Sequence, residues 1–132
     1  MKTETQLAKP LGSKLPAKLP EVQLKAGAAP ATDRERVTAV PLAFTAFLIG
    51  NFHGSVIATG ILPGVTPNSR MLISICEFGA DPRTSRFIGD ARMAVYNVCP
   101  GAGEFKVWCE VFWPDDLNIR VDVFVDPEEQ LT

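Results

Sequence analysis

Residues able to carry chemistry are few and widely spaced. His53, in the run Asn51-Phe52-His53-Gly54-Ser55, is the only histidine of 132 residues, so a Ser/His or Cys/His nucleophilic pair would have to be built around it. Its place in a turn between two apolar runs reads as a surface histidine rather than a base. Cys76, Cys99 and Cys109 are an odd count, with neither a CxxC nor a Cys/His spacing, which argues against a disulfide framework and against a zinc site. They read as buried free thiols. Glu77, Asp81, Asp90 and Glu104 are the carboxylates available for an acid pair, yet their spacing favours solvated loop and strand-end positions. The glycines sit at turns and form no phosphate-cradling loop. The expectation is a protein without catalytic residues, metal or cofactor, and not an enzyme.

The residues that do call for a role are aromatic. In Glu104-Phe-Lys-Val-Trp-Cys-Glu-Val-Phe-Trp113 the side chains alternate as in a β-strand, yet both faces carry large apolar groups. The run Leu117–Val125 follows after Pro114, Asp115 and Asp116. Reading those three as a hairpin loop pairs Trp113 with Leu117, and sets Phe105, Val107, Cys109 and Val111 beside Val125, Val123, Val121 and Ile119 on a core face. Glu110 then stands across from Arg120. The opposite face gathers Trp108, Phe112 and Phe124, interleaved with Lys106, Asp122 and Asn118. Three large aromatics on one face need a cover. A second layer of the same chain, from Phe44, Phe47, Leu48, Phe52 and Phe78, would supply one; another subunit or a ligand would supply the other, making Trp108, Phe112 and Phe124 interface residues.

The elements that must position these residues are all strands. Val37–Ile49, Ser55–Leu62, Arg70–Phe78, Ala91–Val98, Glu104–Trp113 and Leu117–Val125 are rich in Val, Ile and Phe and separated by Gly, Pro, Asn and Asp. Pro41 inside the first run predicts an edge strand or one that starts after it. Residues 79–90 are the longest connection and read as a surface loop. The predicted fold is all-β: an antiparallel β-sandwich of jelly-roll or immunoglobulin-like form, with about six or more strands spanning residues 37–132.

Residues 1–36 differ in composition. They hold seven Lys/Arg against four acids, a balance of +3, whereas the rest holds six against eleven, a balance of −5. Pro10, Pro16, Pro20 and Pro30, a repeated Lys-Leu-Pro and the absence of aromatics predict an extended arm. Fully extended it would reach about 120 Å. A basic arm suits the acidic bodies of neighbouring copies, through Lys9, Lys14, Lys18 and Lys25. A charge of +3 spread over 36 residues, without arginine clusters, argues against nucleic acid as the partner. No apolar run nears the ~20 residues of a membrane helix. The first residues lack the apolar centre of a secretory signal, so synthesis in the cytoplasm is expected.

Residues from about 70 to 125 resemble the H-type lectin domain. The likeness lies in a strand ending Asn97-Val98 before a turn, a strand starting at Gly103 to Phe105, and Trp113 leading at once into an Asp-containing turn. It implies a six-stranded antiparallel sandwich, a trimer, and N-acetylgalactosamine-type sugars as ligand, held by loops such as 63–69 or 79–90. The body-plus-arm architecture also resembles the coat, cement and decoration subunits of viral and phage particles. It implies self-association, or incorporation among other subunits of a virion, with the arm tying neighbours together. The second expectation accounts for both the arm and the aromatic face.

Overall fold

The computed structural model describes residues 19–27 and 42–127. Among them there is no helix, and hence none long and apolar enough to cross a membrane. The described residues form nine strands: β1 (Glu21–Gln23), β2 (Lys25–Ala26), β3 (Phe44–Phe52), β4 (Gly54–Ile61), β5 (Arg70–Phe78), β6 (Arg86–Phe87), β7 (Arg92–Pro100), β8 (Glu104–Phe112) and β9 (Leu117–Asp126). One sheet has the order β1-β4-β8-β7 and the other β2-β3-β9-β5-β6. All six long strands overlap the apolar runs that predict them, with β3 continuing through Gly50, Asn51 and Phe52, which the sequence places in a turn. β3 begins after Pro41, which lies outside the described residues. The segment 79–90 is a loop except for the two residues of β6.

Each sheet is built on a central strand whose inward side chains are almost wholly hidden. β8 supplies Phe105, Val107, Cys109 and Val111, each 0 % exposed; β9 supplies Ile119, Val121, Val123 and Val125, at 0–2 %. Leu48, Phe52, Val56 and Ala58 from β3 and β4 join them in one cluster drawn from both sheets. Burying a residue of this kind stabilises by about 1.5–3 kcal/mol. Room is tight where the sheets approach: a Cβ on Gly60 would stand 2.5 Å from Phe105 Cζ and 2.9 Å from Leu48 Cδ2. A positive φ of 77° at Gly54 lets the chain turn sharply from β3 in one sheet to β4 in the other.

The hairpin reading of residues 104–125 is overturned. β8 pairs with β4 and β7, and β9 pairs with β3 and β5, so the two strands lie in different sheets. Residues 113–116 carry the chain across the body instead of folding it back alongside. The inward sets are the ones expected, because alternation says which side of a strand is apolar. It does not say whether the matching row is a neighbour or lies opposite. Glu110 consequently never meets Arg120. Trp108 and Phe112 lie on the outer face of one sheet and Phe124 on that of the other, so the three form no common patch.

Part of the stretch read as an arm lies on the body, while the boundary at residue 36 falls outside the described residues. β1 runs parallel to β4, with Val22 beside Ala58, and β2 runs antiparallel to β3, with Ala26 beside Leu48. Residues 19–27 thus form a strap that crosses from one sheet edge to the other, and its Leu24 is buried in the common core at 4 % exposure. Lys25 is an exposed residue of β2. Lys9, Lys14 and Lys18 lie outside the described residues.

Two measurements check this core. Gly60→Ala should lower unfolding free energy by about 1–3 kcal/mol in denaturant titration, through overpacking against Phe105. Of the three thiols expected to be buried only Cys109 is, and burial pushes it up to about 11; Cys99, on a strand position that faces outward, is exposed and Cys76 half-buried. At pH 8 a thiol reagent should therefore modify Cys99 first, Cys76 more slowly, and Cys109 only in denaturant, as read by peptide mass.

Candidate functional site

On the outer face of the β1-β4-β8-β7 sheet, the strand alternation that turns Val107, Cys109 and Val111 inward turns Lys106, Trp108, Glu110 and Phe112 outward. The ladder sets Trp108 against Ile57 on β4. On β7 the register slips between Val95 and Asn97, so that Val95 pairs with Cys109 but Asn97 pairs with Trp108. This bulge leaves Tyr96 without a ladder partner, and bulges commonly re-aim a side chain in this way. Its ring stands 4.9 Å from that of Trp108, inclined at 52°.

Polar contacts pin the aromatic cluster. Tyr96 Oη donates to Glu110 Oε1 at 2.7 Å, and Trp108 Nε1 donates to Ser55 Oγ at 2.9 Å. The Arg92 guanidinium lies 5.3 Å from the centre of the Phe112 ring, within cation–π range. Lys106 Nζ donates to Thr59 Oγ1 at 3.3 Å. Tyr96 remains 47 % exposed and Phe112 40 %, whereas Ile57 is buried. The face is therefore pre-ordered yet open. Its composition of Tyr, Trp, Phe and Arg is that of the anchor residues of protein interfaces. Of this group, sequence reasoning named Trp108 and Phe112 and missed Tyr96 and Arg92. The available signal was that Tyr96 is the only tyrosine and sits in a strand; the bulge that aims it has no signature in the sequence.

The other outer face is largely self-covered. Arg120 Nε and Nη2 donate to Asp122 Oδ1 at 2.9 and 2.7 Å, its Nη1 donates to the Pro82 carbonyl at 2.9 Å, and its guanidinium sits 3.9 Å from the Phe47 ring centre. Arg86 also reaches Asp122, at 3.2 Å. Together these contacts hold the 79–85 loop against the sheet, and Phe78 is buried. Phe124 and its ladder neighbour Leu72 stay exposed beyond that cover, at 41 and 71 %.

A cleft of about 330 Å³ opens beside β6, lined by Glu77, Phe87, Asp90 and Trp113 among others. It brings together two of the four carboxylates considered for an acid pair; Asp81 and Glu104 lie elsewhere. Asp81 closes the turn of its own loop, accepting from the Arg83 amide at 2.8 Å. His53 Nδ1 lies 2.7 Å from Asp116 Oδ1, tying the β3–β4 turn to the β8–β9 connection. Among the described residues no group of three or more His, Cys, Asp or Glu could hold a metal ion. No protein-family model, curated protein or solved structure matches the chain.

The single tyrosine makes the cluster measurable. Its hydrogen bond to Glu110, the desolvation there and the nearby negative charge raise its pKa above the ordinary value. The donated bond is thus fully present below the ordinary tyrosine pKa of about 10, and is lost as pH rises through the raised value. Absorbance titration at alkaline pH should give one midpoint above that of free tyrosine, and Glu110→Gln should bring it back down.

Proposed function

We propose that the chain is a structural assembly subunit: a β-sandwich body, of the jelly-roll or immunoglobulin-like kind, that serves in a virion or similar particle as a coat, cement or decoration protein. The observation that carries this reading is the ordered face on which exposed Tyr96 and Phe112 flank the half-buried Trp108. Such a face holds its aromatic anchors in place before any partner arrives, so little side-chain freedom is lost on docking. Its partner is another copy of the chain or another subunit of the particle. The opposite charges of residues 1–36 and the remainder favour arm-to-body contacts between copies, and many individually weak contacts become firm when repeated around a particle.

Native mass measurement of the full chain should show a closed assembly rather than a monomer. Phe112→Ser with Trp108→Ser should reduce it to smaller species while the far-ultraviolet strand signature persists; Phe124→Ser, on the opposite face, serves as the comparison. A full-length chain that stays monomeric at high concentration sinks the reading.

A second reading, a carbohydrate-binding module of H-type lectin character, is favoured by the cleft beside β6. Trp113 and Phe87 offer rings on which a sugar face could rest, Glu77 and Asp90 offer acceptors for hydroxyls, and the six long strands divide three to each sheet. Saturation-transfer NMR with N-acetylgalactosamine should then give a signal that Trp113→Ala removes; no signal at millimolar sugar eliminates this reading.

A further inference from the structure

The strap of residues 19–27 occupies a groove that has the features of a receptor site. Among the described residues β4 has β8 as its only other ladder partner and β3 has only β9, so without the strap both would present an open edge. The strap satisfies those edges with backbone bonds. Ile57 N donates to the Pro20 carbonyl at 2.9 Å, Leu24 N to the Thr59 carbonyl at 2.9 Å, and Gly27 N to the Phe47 carbonyl at 3.0 Å. Between them Leu24 enters the core through a socket that depends on Gly50, where a Cβ would stand 2.9 Å from Leu24 Cδ2. An extended peptide that adds to a sheet edge and plugs a pocket with one side chain is a general mode of peptide recognition.

The connection that follows is far longer than this position requires. β2 runs antiparallel to β3 and heads toward its first residue, Phe44, so about three residues to come level with it and a hairpin loop of about 2–5 would suffice. Sixteen residues, 28–43, stand there instead. Fully extended they would span about 50 Å, enough to reach the corresponding groove of an adjacent copy. The contacts of strap and groove are the same whether both belong to one chain or to two. The choice then rests on connection length and local concentration, which crowding of copies in a particle shifts toward the neighbour.

We propose that the strap is exchanged: residues 20–27 of one copy dock in the β3/β4 groove of a second, with Leu24 as the plug, so that the groove is the receptor through which the arm joins subunits. This rests on the assembly reading and specifies its contact. Gln23 and Thr59, outward-facing ladder partners on strap and β4, give the test. Gln23→Cys and Thr59→Cys would be made in separate chains on a Cys76→Ser, Cys99→Ser background, mixed unfolded, refolded together and oxidised. The native mass of the unoxidised mixture would be recorded beside the disulfide pattern.

Exchange predicts an assembled mixture and a disulfide dimer that joins the two different chains, in several-fold excess over either like-with-like dimer. An assembled mixture without that mixed dimer overturns exchange and leaves the assembly reading standing. A monomeric mixture, together with ready intrachain closure in the Gln23→Cys/Thr59→Cys double variant, overturns both. Deleting residues 31–41 provides a check free of cysteines, because the five residues left between Gly27 and Phe44 allow a hairpin but not a crossing. Exchange predicts that the assembled mass falls; assembly unchanged by the deletion contradicts it.

Discussion

Two apolar rows facing each other across the body hold the rest of the structure in place. Phe105, Val107, Cys109 and Val111 on β8 oppose Ile119, Val121, Val123 and Val125 on β9, all at most 2 % exposed. Because each row belongs to the central strand of its own sheet, its burial orders the flanking strands as well. β4 and β7 are held to one row, β3 and β5 to the other. The connection at 113–116 has to cross between sheets, and the outward residues of β8 and β9 are thereby sent to opposite sides of the molecule.

That separation gives the two outer faces different characters. One is covered in part by its own chain, through Arg120, Asp122 and the 79–85 loop, with Phe124 and Leu72 left exposed beyond that cover. The other keeps Tyr96, Trp108 and Phe112 ordered but open, as a docking face requires. The same two-sheet arrangement creates a second demand at its flank, where the edges of β3 and β4 would lie unpaired. The strap meets it, and Leu24 converts an edge contact into a core contact. The face and the groove are consequences of one architecture.

Much of this was legible in the residues. Period-two alternation located the six long strands and named the fully buried side chains of β8 and β9, because burial on one side of a pleated strand leaves that pattern. Which sheet each strand joins was not legible. Pro114-Asp115-Asp116 suits a hairpin and an inter-sheet crossing equally, and the opposite charges of Glu110 and Arg120 made the hairpin register look self-consistent. In the structure each finds a different partner, Tyr96 for Glu110 and Asp122 for Arg120. The strap was hidden for another reason. Leu24 is one leucine in a proline- and lysine-rich stretch, and its burial depends on Gly50 and on edges that exist only once both sheets have formed. Tyr96 was missed because a bulge is a property of two paired strands and not of either sequence alone.

The placement of β8 and β9 in separate sheets is the claim on which the rest stands, and backbone NMR tests it directly. Cross-strand contacts between amide and α protons should link Glu110 to Ala94 and Ser55, and Arg120 to Ile49 and Cys76, with none linking Glu110 to Arg120. A ladder of such contacts running between residues 105–112 and 118–125 would contradict the account, and would return Trp108, Phe112 and Phe124 to a single face.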